Sequence, residues 1–139
     1  MSLPGCGDRI DELSGASGLS MTGEFPARAD RSGDGLFAGT VTVASTDRTV
    51  AGVTTPAAEV YVTAGGEVVA VPLAQDLVGR MIRLGPGERQ VFPAAGSLRH
   101  CATGEALPAG RYEVFAVVVV NSGDGQAVVV GGPWPLEVG

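Results

Sequence analysis

The run Tyr112-Glu113-Val114-Phe115-Ala116-Val117-Val118-Val119-Val120 constrains this chain more than any other stretch. Tyr112, Val114, Ala116, Val118 and Val120 fall on one side of an extended backbone, and Glu113, Phe115, Val117 and Val119 on the other. Both sides are apolar in its second half, so the strand asks for cover on each face. It is strand-sized, and nowhere does the chain offer the roughly 18 apolar residues that a membrane-spanning helix needs.

Similar alternation recurs. Phe37, Gly39, Val41 and Val43 share one face while Ala38, Thr40, Thr42 and Ala44 share the other, and Leu19-Ser20-Met21-Thr22 offers a short first strand. Glu59 to Thr63 and Val68 to Val71 flank Gly65-Gly66, a pair suited to the positive φ angles of a primed hairpin turn. A two-residue turn there predicts Val62 opposite Val69 and Val60 opposite Val71, with four valines on one side and Tyr61 and Glu59 on the other. Leu73, Leu77, Met81 and Leu84 recur near helical spacing, but Gly79 and the short span leave this stretch a connection. Leu84-Gly85-Pro86-Gly87-Glu88 reads as a turn, Gln90-Val91-Phe92 as a strand ended by Pro93, and Leu136-Glu137-Val138 as a short last strand beyond the break at Gly132-Pro133-Trp134-Pro135. Asp8 to Leu13 offers one helical turn. The sum is seven to eight short strands at sandwich spacing, an all-β antiparallel fold over residues 36–139 preceded by an arm over 1–35.

Cys6 and Cys101 are the two thiols, and one bridge between them would tether the arm; two unrelated reduced cysteines are the alternative. A third reading takes Leu3-Pro4-Gly5-Cys6 as the remnant of a lipoprotein signal with Cys6 lipidated. Met1-Ser2-Leu3 reads as an expression scar on a trimmed fragment, since neither a basic region nor a hydrophobic segment of a signal peptide follows.

Leu107-Pro108-Ala109-Gly110-Arg111-Tyr112 leads into the long strand, and this Leu-Pro-x-Gly-x-Tyr entry is similar to the tyrosine corner of immunoglobulin-like and fibronectin type III sandwiches. The order of hairpin, crossover, Leu84-Gly85-Pro86-Gly87-Glu88 and Leu107 to Tyr112 also resembles the bacterial intracellular proteinase inhibitor family over residues 37–120. That resemblance implies an immunoglobulin-like fold and an inhibitory loop, for which no residues here can be matched. The cysteines, the arm and the Trp134 segment resemble extracytoplasmic domains of bacterial surface proteins instead.

The inventory for chemistry is small. His100 is the one histidine, no Gly-x-Ser-x-Gly elbow is present, and strand alternation would send His100 and Cys101 to opposite faces, so no catalytic residue is expected. One histidine and two distant cysteines lack zinc-site spacing, so no metal is expected. The repeated Ser32-Gly33-Asp34-Gly35 and Ser122-Gly123-Asp124-Gly125 segments lack the ligand pattern of calcium loops and the lysine of phosphate loops, and Asp11 and Glu12 read as solvated charges. No cofactor is expected. Nine arginines and no lysine stand against 15 acidic residues, a net charge of −6 that disfavours nucleic acid and anionic membrane surfaces.

A central Gly123-Asp124 pair in the last hairpin sets Val119 opposite Val128, Val117 opposite Val130 and Phe115 opposite Gly132. Phe115, Val117, Val119, Val128 and Val130 then form an apolar outer patch if Tyr112 points to the core. Either the arm, or Trp134 and Leu136, covers it, or it docks a protein partner, a neighbouring domain or a second copy as a homodimer. The expectation is a non-catalytic extracytoplasmic binding or structural module of a bacterial surface or secreted protein; the alternative is a proteinase-inhibitor-like protein.

Overall fold

Ten strands account for the alternating stretches in the computed structural model, which describes residues 3–10, 18–75, 78–123 and 125–139. They are β1 (Leu19–Glu24), β2 (Arg28–Ala29), β3 (Leu36–Ser45), β4 (Val50–Thr54), β5 (Glu59–Ala64), β6 (Glu67–Ala70), β7 (Arg80–Leu84), β8 (Arg89–Ser97), β9 (Gly110–Ser122) and β10 (Gly125–Val138). One sheet runs β1-β3-β8, and the other runs β2-β10-β9-β4-β7 with β5 also on β9 and β6 on β5. The neighbours β1-β3-β8 and β5-β9-β10 match strands A-B-E and C-F-G of the immunoglobulin fold, so the chain is an all-β immunoglobulin-like sandwich. All pairings are antiparallel except that of β2 with β10. β1 and β2, both before residue 36, belong to the sheets. Residues 11–13 of the helical turn expected at 8–13 lie outside the described residues, as do Leu77 and Asp124.

Between the sheets lies the main core. Phe37, Val41 and Val43 of β3 and Phe92 of β8 meet Val60 and Val62 of β5 and Val114, Ala116, Val118 and Val120 of β9, all buried. Among the described residues no helix is long and apolar enough to cross a membrane.

Five expectations about the strands need correction. The Gly65-Gly66 turn forms with φ of 59° and 85°, but a bulge sets Val62 opposite Ala70 and Thr63 opposite Val68. One extra residue on β6 inverts the side chains beyond it, so Ala70 faces the main core and Val71 joins Tyr61 on the outer side. The connection after Leu73 contains β7, where Ile82 and Leu84 are buried and Met81 and Arg83 exposed, and β7 pairs with β4. That period-two signal was masked by the weaker helical spacing of the same leucines. Pro93 does not end its strand: β8 continues to Ser97, because on an edge strand a missing N–H costs no ladder bond when it faces outward. Nor does the chain break at Pro133, since β10 runs unbroken to Val138 across a cis Gly132–Pro133 bond. These additions raise the count from seven or eight strands to ten.

The register shift in β10 between Gly131 and Trp134 positions the last strand. Val119 faces Val128 and Val117 faces Val130 as the hairpin geometry requires, but Gly132 and Pro133 together occupy the place opposite Phe115. Without the extra residue Trp134 would oppose Glu113 on the outer side; with it Trp134 opposes Val114 and turns inward. There its ring lies 5.0 Å from that of Phe25, over Gly23 and Gly131, where any Cβ would collide with the indole.

Candidate functional site

The outer side of the large sheet carries the features that turns and strands alone do not explain. Its centre is a second apolar cluster, separate from the main core, in which Ile10, Tyr61, Val68 and Val117 are buried. Val71, Phe115, Val119, Val128 and Val130 pack around them half-buried. All five patch residues expected from sequence therefore lie together. Trp134 and Leu136 do not cover them, since the bulge in β10 sends both into the main core. Ile10 of the arm joins the same cluster, and Val117 has no exposed surface. A Val117→Arg change would thus destabilise the monomer before it reported on any dimer.

Backbone bonding holds the arm on the edge of β6. Gly7 N–H donates to Val68 O at 2.9 Å, Val68 N–H to Asp8 O at 2.9 Å and Ile10 N–H to Gly66 O at 2.9 Å, around one antiparallel bridge of Arg9 with Glu67. Asp8 Oδ2 accepts from Gly5 N–H at 2.8 Å and closes the turn that presents Cys6. Cys101 comes from the opposite direction, its N–H donating to Val69 O at 2.8 Å. The two cysteines form a disulfide with Cα atoms 5.8 Å apart and a sequence separation of 95. A lipidated Cys6 is thereby overturned, because a thioether sulfur cannot also enter a disulfide.

His100 stands beside this bond. One ligand atom each from Cys6, His100 and Cys101 lies within 4.8 Å of the others. The expectation that His100 and Cys101 diverge assumed a strand, whereas the segment turns here: His100 N–H donates to Glu105 O, Gly104 N–H to His100 O, and Ala102 N–H to His100 Nδ1 at 3.1 Å. Bonded sulfurs provide neither a thiolate nucleophile nor a thiolate ligand, so the oxidised trio offers a single imidazole with nothing to activate.

The tyrosine entry lies on the core side. Tyr112 Oη donates to Pro108 O at 2.6 Å, Leu107 is wholly buried with its N–H on Leu98 O, and Gly110 begins β9 in extended backbone. Burial raises the Tyr112 phenol above its ordinary value, with the Arg31 charge opposing. Tyr61, which sequence reasoning placed opposite the valines without a role, is the centre of the outer cluster. Its hydroxyl has no hydrogen-bond partner among the described residues, and burial, helped by the Glu59 charge, pushes its pKa up to about 12. Burial also raises Glu59, whose Oε1 accepts from Gln75 Nε2 at 3.3 Å.

The acidic turns are used locally. Asp30 Oδ1 accepts from both the N–H and the hydroxyl of Ser32, which hold its carboxyl below the usual range, and Asp34 Oδ1 accepts from Leu36 N–H. A groove of about 420 Å³ opens where β4, the segment after Leu73 and Asn121 meet.

No protein-family model matches the chain, and no curated protein does. Solved structures similar to it include a beta-glucosidase from Listeria innocua (16% identity, TM-score 0.48) and one from Erythrobacter marinus (18%, 0.45), over 88% and 90% of this chain. The chain spans only 16% of the length of either glucosidase. A CARDB domain from Pyrococcus furiosus, crystallised in complex with di-metal ions, matches at 17% identity and TM-score 0.42 over 95% of this chain and 97% of that one. Likenesses at this level carry no inference about ligand or activity.

Proposed function

We propose that this chain is a non-catalytic binding or structural module of a bacterial surface or secreted protein, working outside the cytoplasm. The observation that supports the reading is the Cys6–Cys101 disulfide, which joins the arm to the sandwich over 95 residues and suits an oxidising compartment. Its one histidine lies against bonded sulfurs, and Asp30 and Asp34 are engaged in turns, which favours the sheets and their edges as binding surfaces. The experiment is intact mass with and without reductant, then a non-reduced peptide map, on protein isolated from its native host in alkylating agent. Joined Cys6 and Cys101 peptides and a mass lower by two hydrogens are expected. Two alkylated thiols would overturn the location and move the proteinase-inhibitor reading, tested by titration against a serine protease, to the front.

A further inference from the structure

The large sheet ends at β2, at the arm on β6 and at β7, and β2 covers only the Glu137 and Val138 end of β10. β2 lies along β10, pairing Arg28 with Glu137, and the arm lies along β6 through three backbone hydrogen bonds. At the third end β7 pairs with β4 alone, and no strand among the described residues takes its outer edge. A bare edge presents a row of N–H and C=O groups to any extended chain.

The side chains on this edge are selective. Met81 is 80% exposed, Val78 69% and Val53 37%, and Val53 is the register partner of Met81, so an apolar strip lies along β4 and β7. Arg80 and Arg83 flank Met81 on the same five-residue strand, both exposed and without an ion pair among the described residues. Arg80 rests its guanidinium 5.5 Å from the centroid of the Phe92 ring, and β7 itself bears no carboxylate. In a chain of net charge −6, this is a cationic edge with an apolar centre.

We propose that the free edge of β7 is a docking site for an extended acidic partner segment with one apolar residue at its centre, which joins the sheet as an added strand. Backbone pairing supplies the attachment, Met81, with Val53 behind it, receives the apolar side chain, and carboxylates meet Arg83 on that same face and Arg80 on the other. A second copy of this chain is the wrong occupant, because edge-to-edge pairing of two β7 strands would gather four guanidinium groups on one ladder. The inference deepens the binding-module reading and rests on it, but the disulfide map and the peptide titration fail independently.

The oxidised full chain, labelled with ¹⁵N, is titrated with an octapeptide of Asp residues around one central Val and with its Lys-Val counterpart. The Asp-Val peptide is expected to bind about tenfold tighter or better, to weaken as salt rises, and to shift amides of Arg80–Leu84 and Val50–Thr54. Arg83→Glu, at an exposed position, should reverse the preference between the two peptides, and Met81→Ser should weaken both by several-fold, each with an unchanged melting temperature. Equal affinities, no binding at millimolar peptide, shifts confined to another edge, or self-association lost in Arg83→Glu would each overturn the proposal.

Discussion

The two tyrosine hydroxyls sit on opposite sides of the large sheet and meet different surroundings. That of Tyr112 donates to Pro108 O, so Tyr112→Phe should cost about 1 kcal/mol, a fall of about 4 °C in melting temperature by calorimetry. Tyr61 buries a hydroxyl with no such bond, and Tyr61→Phe should leave stability unchanged or raise it slightly. The same residue predicts an alkaline limit. Its folded pKa of about 12 exceeds the ordinary value of 10, so the unfolded chain loses the proton first. The stability this represents is complete below pH 10 and disappears as pH rises through 12. Melting temperatures measured between those limits should fall more gently in Tyr61→Phe than in the parent. A Glu59→Gln change should lower the Tyr61 titration only a little, read by phenolate absorbance, because burial is the larger cause and the carboxylate the smaller.

At the scale of strands, glycines mark where backbones approach. A Cβ on Gly39 would run into the Glu24 carbonyl oxygen and the Phe25 ring, so Gly39→Ala forces β1 and β3 apart and should destabilise by about 1–3 kcal/mol in urea unfolding. Gly65, whose φ is 59°, has open space where a Cβ would go, so any cost of substitution there comes from backbone strain alone. The contrast separates crowding from conformation. The alternation of β3 and β9, the Gly65-Gly66 turn and the register of Val117 to Val119 were legible because each is a local rule. The parts that were not legible depend on one inserted residue. The bulges near Val69 and at Gly132-Pro133 leave composition unchanged but invert every side chain after them, which is why Val71 and Trp134 changed faces. β4 and β7 were hidden for a different reason: Gly52 is placed where a side chain would strike Asn121 O, and the Arg80 to Leu84 alternation overlaps a helical spacing. Of the outer site, sequence located the five patch residues but not Ile10, whose place in the same cluster depends on the arm's path.

The molecule as a whole is two apolar clusters sharing one sheet, and the disulfide bears on them unequally. The main core lies between the sheets and contains no residue of the segment 3–10, whereas the outer cluster includes Ile10, held by three backbone bonds and the Cys6–Cys101 link. Opening the bridge frees about 95 residues of unfolded-state constraint, worth about 2–5 kcal/mol, so a Cys6→Ser/Cys101→Ser protein should melt about 10–15 °C lower. It should nevertheless stay folded at about 25 °C, because the larger cluster is intact. Hydrogen exchange resolves the two effects: the amides of Gly7, Ile10 and Val68, which join arm to edge, should lose protection in the variant, while Val114, Val118 and Val43 keep theirs. Uniform loss across both sheets would mean that the arm is part of a single cooperative unit and that the outer cluster supports the core rather than resting on it. Loss confined to the arm would instead show that reduction alone uncovers Tyr61, Val68 and Val117, exposing an apolar face that the oxidised molecule keeps sealed.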